Sequence, residues 1–288
     1  MIAIAALALR TSADPEAGVR GVERAIALAR RRGARLIVFP EATLGGYLQE
    51  REVENTIVRG APPVLEDPAT VFARLARAAG EAVVCVGYTE GAGDGSRHIH
   101  ASVVCLSGDG VLGHQRKVHI PPSELGLISP GSGFRAFDTP VGRIGMLVCY
   151  DKLFPEAARR LALDGAQIIA CPAAWPMSRE RTRRRPVPMR HDRQVRHFNA
   201  LDIARAVENQ VVWVSANQAG RDGRLRFPAQ SKVVDPDGRV LASTGSRAGL
   251  ALARLDPARA VARSRAAISH LGDRLPSAYG SSEPEPAV

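Results

Sequence analysis

The sequence predicts a mixed α/β fold, two β-sheets packed together with helices on their outer faces. Three observations lead there. Short apolar runs of strand length alternate with amphipathic stretches of helical period. Pairs of strands joined by tight glycine-containing turns lie between these units, so the chain is neither a pure βαβ repeat nor all-β. The length, 288 residues at 45% hydrophobic content, suits one large domain or two small ones with a substantial core.

In chain order, residues 2–9 (IAIAALAL) read as a strand. Residues 15–32 form an amphipathic helix with Asp14 as N-cap, Pro15 at the first helical position and Gly33 past the end. ARLIVFPE is a buried strand ending at Pro40-Glu41. Residues 68–79 give a second helix, and AVVCVGY the next strand. HIHASVVCLS and VLGHQRKVHI flank GDG as a hairpin, and GFRAFDTPVGRIGMLVC is a second hairpin turning at residues 140–142. Residues 155–164 form a helix closed by Gly165, QIIACP a strand, residues 191–208 a long helix, and QVVWVSAN another strand. QSKVVDPDGRVLAS turns at Asp237-Gly238, and AGLALARLD is the last strand. We read 1–270 as one domain and 271–288 as a C-terminal extension; its end, GSSEPEPAV, is polar and proline-rich and reads as a mobile tail.

Composition excludes several classes. No apolar run approaches the ~20 residues of a membrane span, and the N-terminal run lacks a basic leader, so a cytoplasmic location is expected. The four cysteines, Cys85, Cys105, Cys149 and Cys171, match no zinc spacing, and all but Cys149 read as small buried hydrophobes. Seven scattered histidines suggest no metal set. The net charge of +10 invites a nucleic-acid partner, but RERTRRRP supplies much of it, aromatics are 5% and no nucleic-acid motif accompanies it. That stretch reads as a solvated loop, or one near an active-site mouth that attracts an anionic substrate. Of 39 basic residues only three are lysine: Lys117, Lys152 and Lys232. Where arginine is the default, a retained lysine hints at work for a compact ammonium.

Three polar residues share one kind of position. Glu41 follows LIVFP, Lys117 comes near the end of VLGHQRKVHI, and Cys149 ends IGMLV. The ends of covered strands are where side chains can meet in a crevice without disturbing a core. A cysteine, a carboxylate and a lysine meeting there make a coherent hydrolase. Glu41 can take the thiol proton, and Lys117 can hold the oxyanion of a tetrahedral intermediate.

The same segments resemble the three signatures of the nitrilase superfamily of carbon–nitrogen hydrolases. LIVFPEATLGGY is similar to its glutamate motif, GHQRKVHIPPSE to its lysine motif, and GRIGMLVCYDKLFPEAARRLALDGAQIIACPAAWP to its cysteine motif. ARAVENQVVWVSANQAG, QSKVVDPDGRVLAS and HLGDRLPSAYG follow in the family's order. The resemblance implies a four-layer αββα sandwich whose subunits pair as a homodimer or a higher homo-oligomer. It implies Glu41 as general base, Lys117 as oxyanion stabiliser, Cys149 as nucleophile, Glu124 as a second glutamate positioning substrate and lysine, and the N–H of Tyr150 as a further oxyanion donor. The reaction needs neither metal nor organic cofactor.

The Cys-Tyr-Asp run resembles the amidase and carbamoylase branches more than the nitrilases, which carry Cys-Trp-Glu. The expected substrate is thus a small linear amide or N-carbamoyl compound that releases ammonia. Nitrile hydrolysis is the alternative, and a catalytically silent binding or regulatory subunit the alternative of another class. Lys152 is expected either to meet a substrate carboxylate or to pair with Asp151 or Glu156. Trp175, in the segment that lines the pocket in the family, is the other substrate-binding candidate. Ala229 stands where the family hairpin has glycine, which puts the local backbone in question.

Overall fold

The computed structural model describes residues 1–12, 14–53, 56–91, 98–178 and 188–279. In chain order the elements are β1 (Ile2–Ala8), α1 (Pro15–Arg31), β2 (Ala34–Val38), β3 (Gln49–Val53), β4 (Thr56–Gly60), α2 (Pro68–Ala79), β5 (Val83–Gly91), β6 (Ile99–Ser107), β7 (Gly110–Arg116), β8 (Phe137–Thr139) and β9 (Gly142–Met146). They continue with α3 (Pro155–Leu163), β10 (Ile168–Ala173), α4 (Arg193–Asn209), β11 (Val212–Asn217), β12 (Ala219–Asp222), β13 (Leu225–Pro228), β14 (Lys232–Val234), β15 (Val240–Ser243), β16 (Gly249–Leu255) and α5 (Pro257–Ala267).

Two six-stranded sheets form the centre, in the orders β16-β1-β2-β5-β6-β7 and β15-β14-β11-β10-β9-β8. The period of two in the strands explains the layering. Ile4, Leu36, Val38, Val83 and Val103 face the second sheet, where Ile144, Met146, Ile168, Val212 and Val214 meet them. Ala5, Leu7, Ile37 and Val84 face the other way, onto Val19, Val22 and Ile26 of α1 and Leu75 of α2. Ile169 and Trp213 likewise turn outward, onto α3 and α4. The layers are helix, sheet, sheet, helix, which is the four-layer αββα sandwich expected.

Helix starts follow one chemical rule. Asp14, Asp67 and Asp256 each precede a proline and accept a backbone N–H of the first turn of α1, α2 and α5. The same signal marks α5, which the sequence reading passed over, as it did the small hairpins β3-β4 and β12-β13. The helix expected from residue 191 begins at Arg193, because Asp192 caps it by accepting from the N–H groups of Gln194 and Val195. Ala229 adopts φ +62° and Gln230 φ +68°, so two non-glycine residues hold the left-handed backbone where glycine was missed. The expectations for RERTRRRP and GSSEPEPAV fall outside the described residues. Among the described residues no helix is long and apolar enough to cross a membrane.

The strand expected through Ile120 stops at Arg116. The backbone N–H groups of Val118 and His119 donate instead to the Asp151 carboxylate, at 3.2 and 2.8 Å. Lys117 and His119 therefore do not share a strand face. His119 adds its ring to Asp151 at 2.9 Å and stacks on Phe154 at 3.7 Å.

Lys152 corrects an expectation. It is fully buried, and its ammonium goes to Asp202 of α4 at 2.9 Å, to neither Asp151 nor Glu156. Lys232 reaches the other oxygen of Asp202 at 2.6 Å, while the Trp213 indole and the Ser215 hydroxyl also donate to that carboxylate. The ring of Phe198 lies 3.0 Å from Nζ of Lys152 and 4.5 Å from Nζ of Lys232. Burial alone would raise the Asp202 pKa, but the two lysines outweigh it and hold the carboxyl below its ordinary value. Asp202→Asn leaves two buried ammoniums without a counter-charge and is expected to cost about 3–5 kcal/mol, read by urea denaturation. Replacing Asp202, Lys152 and Lys232 together with apolar residues of similar volume is expected to recover most of that loss.

Candidate active site

The parallel strands of both sheets deliver their C-terminal ends to one edge. Strand β2 runs out through Phe39 and Pro40 to Glu41, and the Glu41 N–H donates to the carbonyl of Ala173 at the end of β10, 3.3 Å away. The side-chain amide of Gln218 holds the Glu41 carbonyl at 3.1 Å. The glutamate is thereby stitched to the opposite sheet. Gly87 of β5 lies directly beneath it. A Cβ there would stand 2.7 Å from Pro40 O, Glu41 Cα and Ala42 N, all backbone atoms that cannot swing aside.

Cys149 lies three residues beyond β9, at the first position of a 3₁₀ turn spanning Cys149–Leu153. It holds φ +50°, a strained angle for a non-glycine residue. Asp151 secures the turn. Its carboxylate takes the N–H of Val148, just before the cysteine, at 3.0 Å, and those of Val118 and His119, just after Lys117. One buried carboxylate thus ties the cysteine turn to the lysine segment. Sequence reasoning missed this role, although Asp151 stood in the quoted motif.

Lys117 is fully buried and donates to Glu41 at 2.9 Å and to both oxygens of Glu124 at 2.8 and 2.7 Å. The second oxygen of Glu41 accepts the Ala174 N–H at 2.9 Å. Glu124 also accepts the Tyr47 hydroxyl, a contact that sequence reasoning missed even though the tyrosine closes LIVFPEATLGGY. Burial raises the Glu41 pKa against the opposing pull of Lys117, and the Glu124 charge adds to the rise. Burial works to lower the Lys117 pKa, but Glu124 and Glu41 overcome it and leave the ammonium well above its usual value. Burial, with the Glu41 charge added, pushes the Cys149 thiol well up. Burial thus favours the protonated forms of Cys149 and Glu41, while the two carboxylates favour the charged form of Lys117.

The structure thus brings together Glu41, Lys117, Glu124 and Cys149, the residues expected to meet. A cavity of about 570 Å³ opens over them, with Glu124, Cys149 and Tyr150 in its wall. Trp175 lines it too, fixed by Asn217 at its N–H (2.8 Å) and by Gln194 at its indole nitrogen (3.0 Å). Lys152, buried on Asp202, is not part of that wall. Among the described residues no group of three or more His, Cys, Asp or Glu side chains is placed to hold a metal ion.

A buried cysteine, an adjacent carboxylate and an ammonium under an open cavity define a cysteine hydrolase site. Residues 2–265 match the family model described as carbon–nitrogen hydrolase, and the chain belongs to that family, within the nitrilase superfamily. It is 33% identical over 230 residues to a protein named nitrilase from Pyrococcus abyssi, covering 79% of each chain. It is 29% identical over 263 residues to N-carbamoylputrescine amidase from Solanum tuberosum, covering 86% of this chain and 83% of that one. Among solved structures, a carbon–nitrogen hydrolase from Helicobacter pylori superposes with a TM-score of 0.82 at 24% identity, over 96% of this chain and 97% of that one. The chain is accordingly an enzyme of the carbon–nitrogen hydrolase class.

The support beneath Glu41 gives a test. Gly87→Ala is expected to displace Glu41 and slow alkylation of Cys149 by iodoacetamide several-fold, with the circular dichroism spectrum unchanged. An unaltered labelling rate would show that Glu41 is not held from below.

Proposed function

We propose that the enzyme hydrolyses a small linear amide or N-carbamoyl compound through a thioester on Cys149 and releases ammonia. The observation that carries this reading is the buried contact of Lys117 with both Glu41 and Glu124 beside Cys149. The Cys-Tyr-Asp run and the similarity to a protein named N-carbamoylputrescine amidase support an amide or carbamoyl group, and the similarity to a protein named nitrilase keeps the nitrile as the second reading.

The steps follow from the protonation states. Glu41 takes the thiol proton as sulfur attacks the carbonyl carbon. One Lys117 N–H turns from Glu124 to the oxyanion, joined by the backbone N–H of Tyr150. Glu124 keeps the ammonium in place, and Tyr47 keeps Glu124 in place. The tetrahedral intermediate collapses, the C–N bond breaks, and Glu41 returns its proton to the departing ammonia. Water then attacks the thioester, Glu41 takes a proton from it, and the proton passes to the leaving sulfur. A simple amide yields a carboxylic acid, and a carbamoyl group a carbamic acid.

Ammonia release from a panel of amides, N-carbamoyl amines, N-carbamoyl amino acids and nitriles tests the reading. Turnover confined to the first three and abolished in Cys149→Ala supports it. Turnover confined to nitriles sinks it in favour of a nitrilase. Equally slow alkylation of Cys149 and the other three cysteines, without turnover, points to the silent scaffold.

Glu41→Gln is expected to lower kcat by about 10²–10⁴-fold. The pH profile has a defined sign. Glu41 must be ionised to act, and its raised pKa places the acid limb of kcat/KM above the roughly 4.3 of a free glutamate. A limb at or below that value would remove Glu41 as the base.

A further inference from the structure

We infer that the substrate carries a carboxylate at the end remote from the scissile C–N bond, received by Arg193, Gln194 and His197 on the cavity wall. The inference rests on the amide-hydrolase reading above and specifies its substrate class. Cys149 and Glu124 are buried at the floor of the cavity, whereas Arg193 and His197 are exposed, which puts them at its mouth. They stand four residues apart at the start of α4, on one face of the helix. Neither makes a hydrogen bond or ion pair with another described residue, although the carboxylate of Asp192 is next in the chain. That carboxylate is engaged elsewhere, by the backbone N–H groups of Gln194 (2.9 Å), Val195 (3.1 Å) and Ser178 (3.0 Å).

Gln194 is oriented by Trp175, whose indole N–H donates to its amide oxygen. The amide NH₂ is left as a donor. The only carboxylate on the described wall is Glu124, whose oxygens are engaged by Lys117 and Tyr47. Among the described residues the mouth therefore offers a guanidinium, an amide NH₂ and an imidazole, with no carboxylate hydrogen-bonded to any of them. A carboxylate accepts without donating and matches a guanidinium with two parallel hydrogen bonds. An ammonium at the same place would meet Arg193 as a like charge. The substrates that fit are ω-amides of dicarboxylic acids and N-carbamoyl amino acids.

The test is calorimetric titration of Cys149→Ala with three amides of one skeleton: succinamate (anionic), butyramide (neutral) and β-alaninamide (cationic). Succinamate is expected to bind about tenfold more tightly than butyramide, and β-alaninamide more weakly than either. In Cys149→Ala/Arg193→Gln the succinamate advantage is expected to vanish, and in Cys149→Ala/Arg193→Lys to return in part. Arg193 is exposed, and circular dichroism verifies that each variant is folded. Equal binding of succinamate and butyramide, an advantage that survives Arg193→Gln, or no binding of succinamate would each overturn the inference. Because this measurement reads binding without turnover, an unmodified enzyme inert on every amide would defeat the hydrolase reading while leaving the anion result separately legible.

Discussion

The buried ammonium of Lys117 between Glu41 and Glu124 is the contact on which the rest of the site depends. Two carboxylates and one ammonium taken out of water would be left with excess negative charge. Several features lessen it. Tyr47 donates to Glu124, the Ala174 N–H donates to Glu41, and Glu41 itself is pushed toward its neutral form. In the proposed mechanism the charge problem of the cluster and the base strength of Glu41 thus have one origin. For the proton transfer proposed above, a carboxylate kept comfortable by solvent would be too weak a base for a thiol whose own pKa is raised by the same burial.

Such a cluster works only if its members cannot drift, and the scaffold restrains each from behind. Gly87 leaves just enough room for the Glu41 backbone, and Gln218 and Ala173 anchor it to the second sheet. Asp151 spends its carboxylate on four N–H groups, three of the backbone and one of the His119 ring, that flank the cysteine and the lysine. The positive φ of Cys149 is part of the same arrangement, since it begins a tight turn where the strand would otherwise have continued. Strain at Cys149 is sustained because the surrounding hydrogen bonds over-determine the turn.

Lysine usage follows the same physics. All three lysines are buried, and each ammonium rests on a buried carboxylate, Lys117 on Glu41 and Glu124, Lys152 and Lys232 on Asp202. A guanidinium presents five donors in a rigid planar fork, more than these enclosed sites can satisfy, whereas an ammonium presents three that rotate. The rarity of lysine in the sequence was therefore a true signal of special positions. It did not distinguish the one beside Cys149 from the two that hold Asp202 of α4.

The sequence by itself determined what depends on local pattern. Short apolar runs bounded by turn residues marked the strands, Asp14-Pro15 marked the start of the first helix, and the polar residues after LIVFP and IGMLV marked the edge where chemistry gathers. The family motifs told which of those residues belong together. The tertiary structure alone decided the partners of residues far apart in the chain. Lys152 finds Asp202 50 positions away, and Trp175 positions the α4 residue Gln194, 19 positions on. The strand expected through Ile120 was lost for the same reason, because Asp151, more than 30 positions later, claims the N–H groups of Val118 and His119. Hydrophobic period encodes which side of an element is buried. It carries no information on which buried polar group meets which, because that is settled only when two sheets and their helices pack and every enclosed donor must find an acceptor.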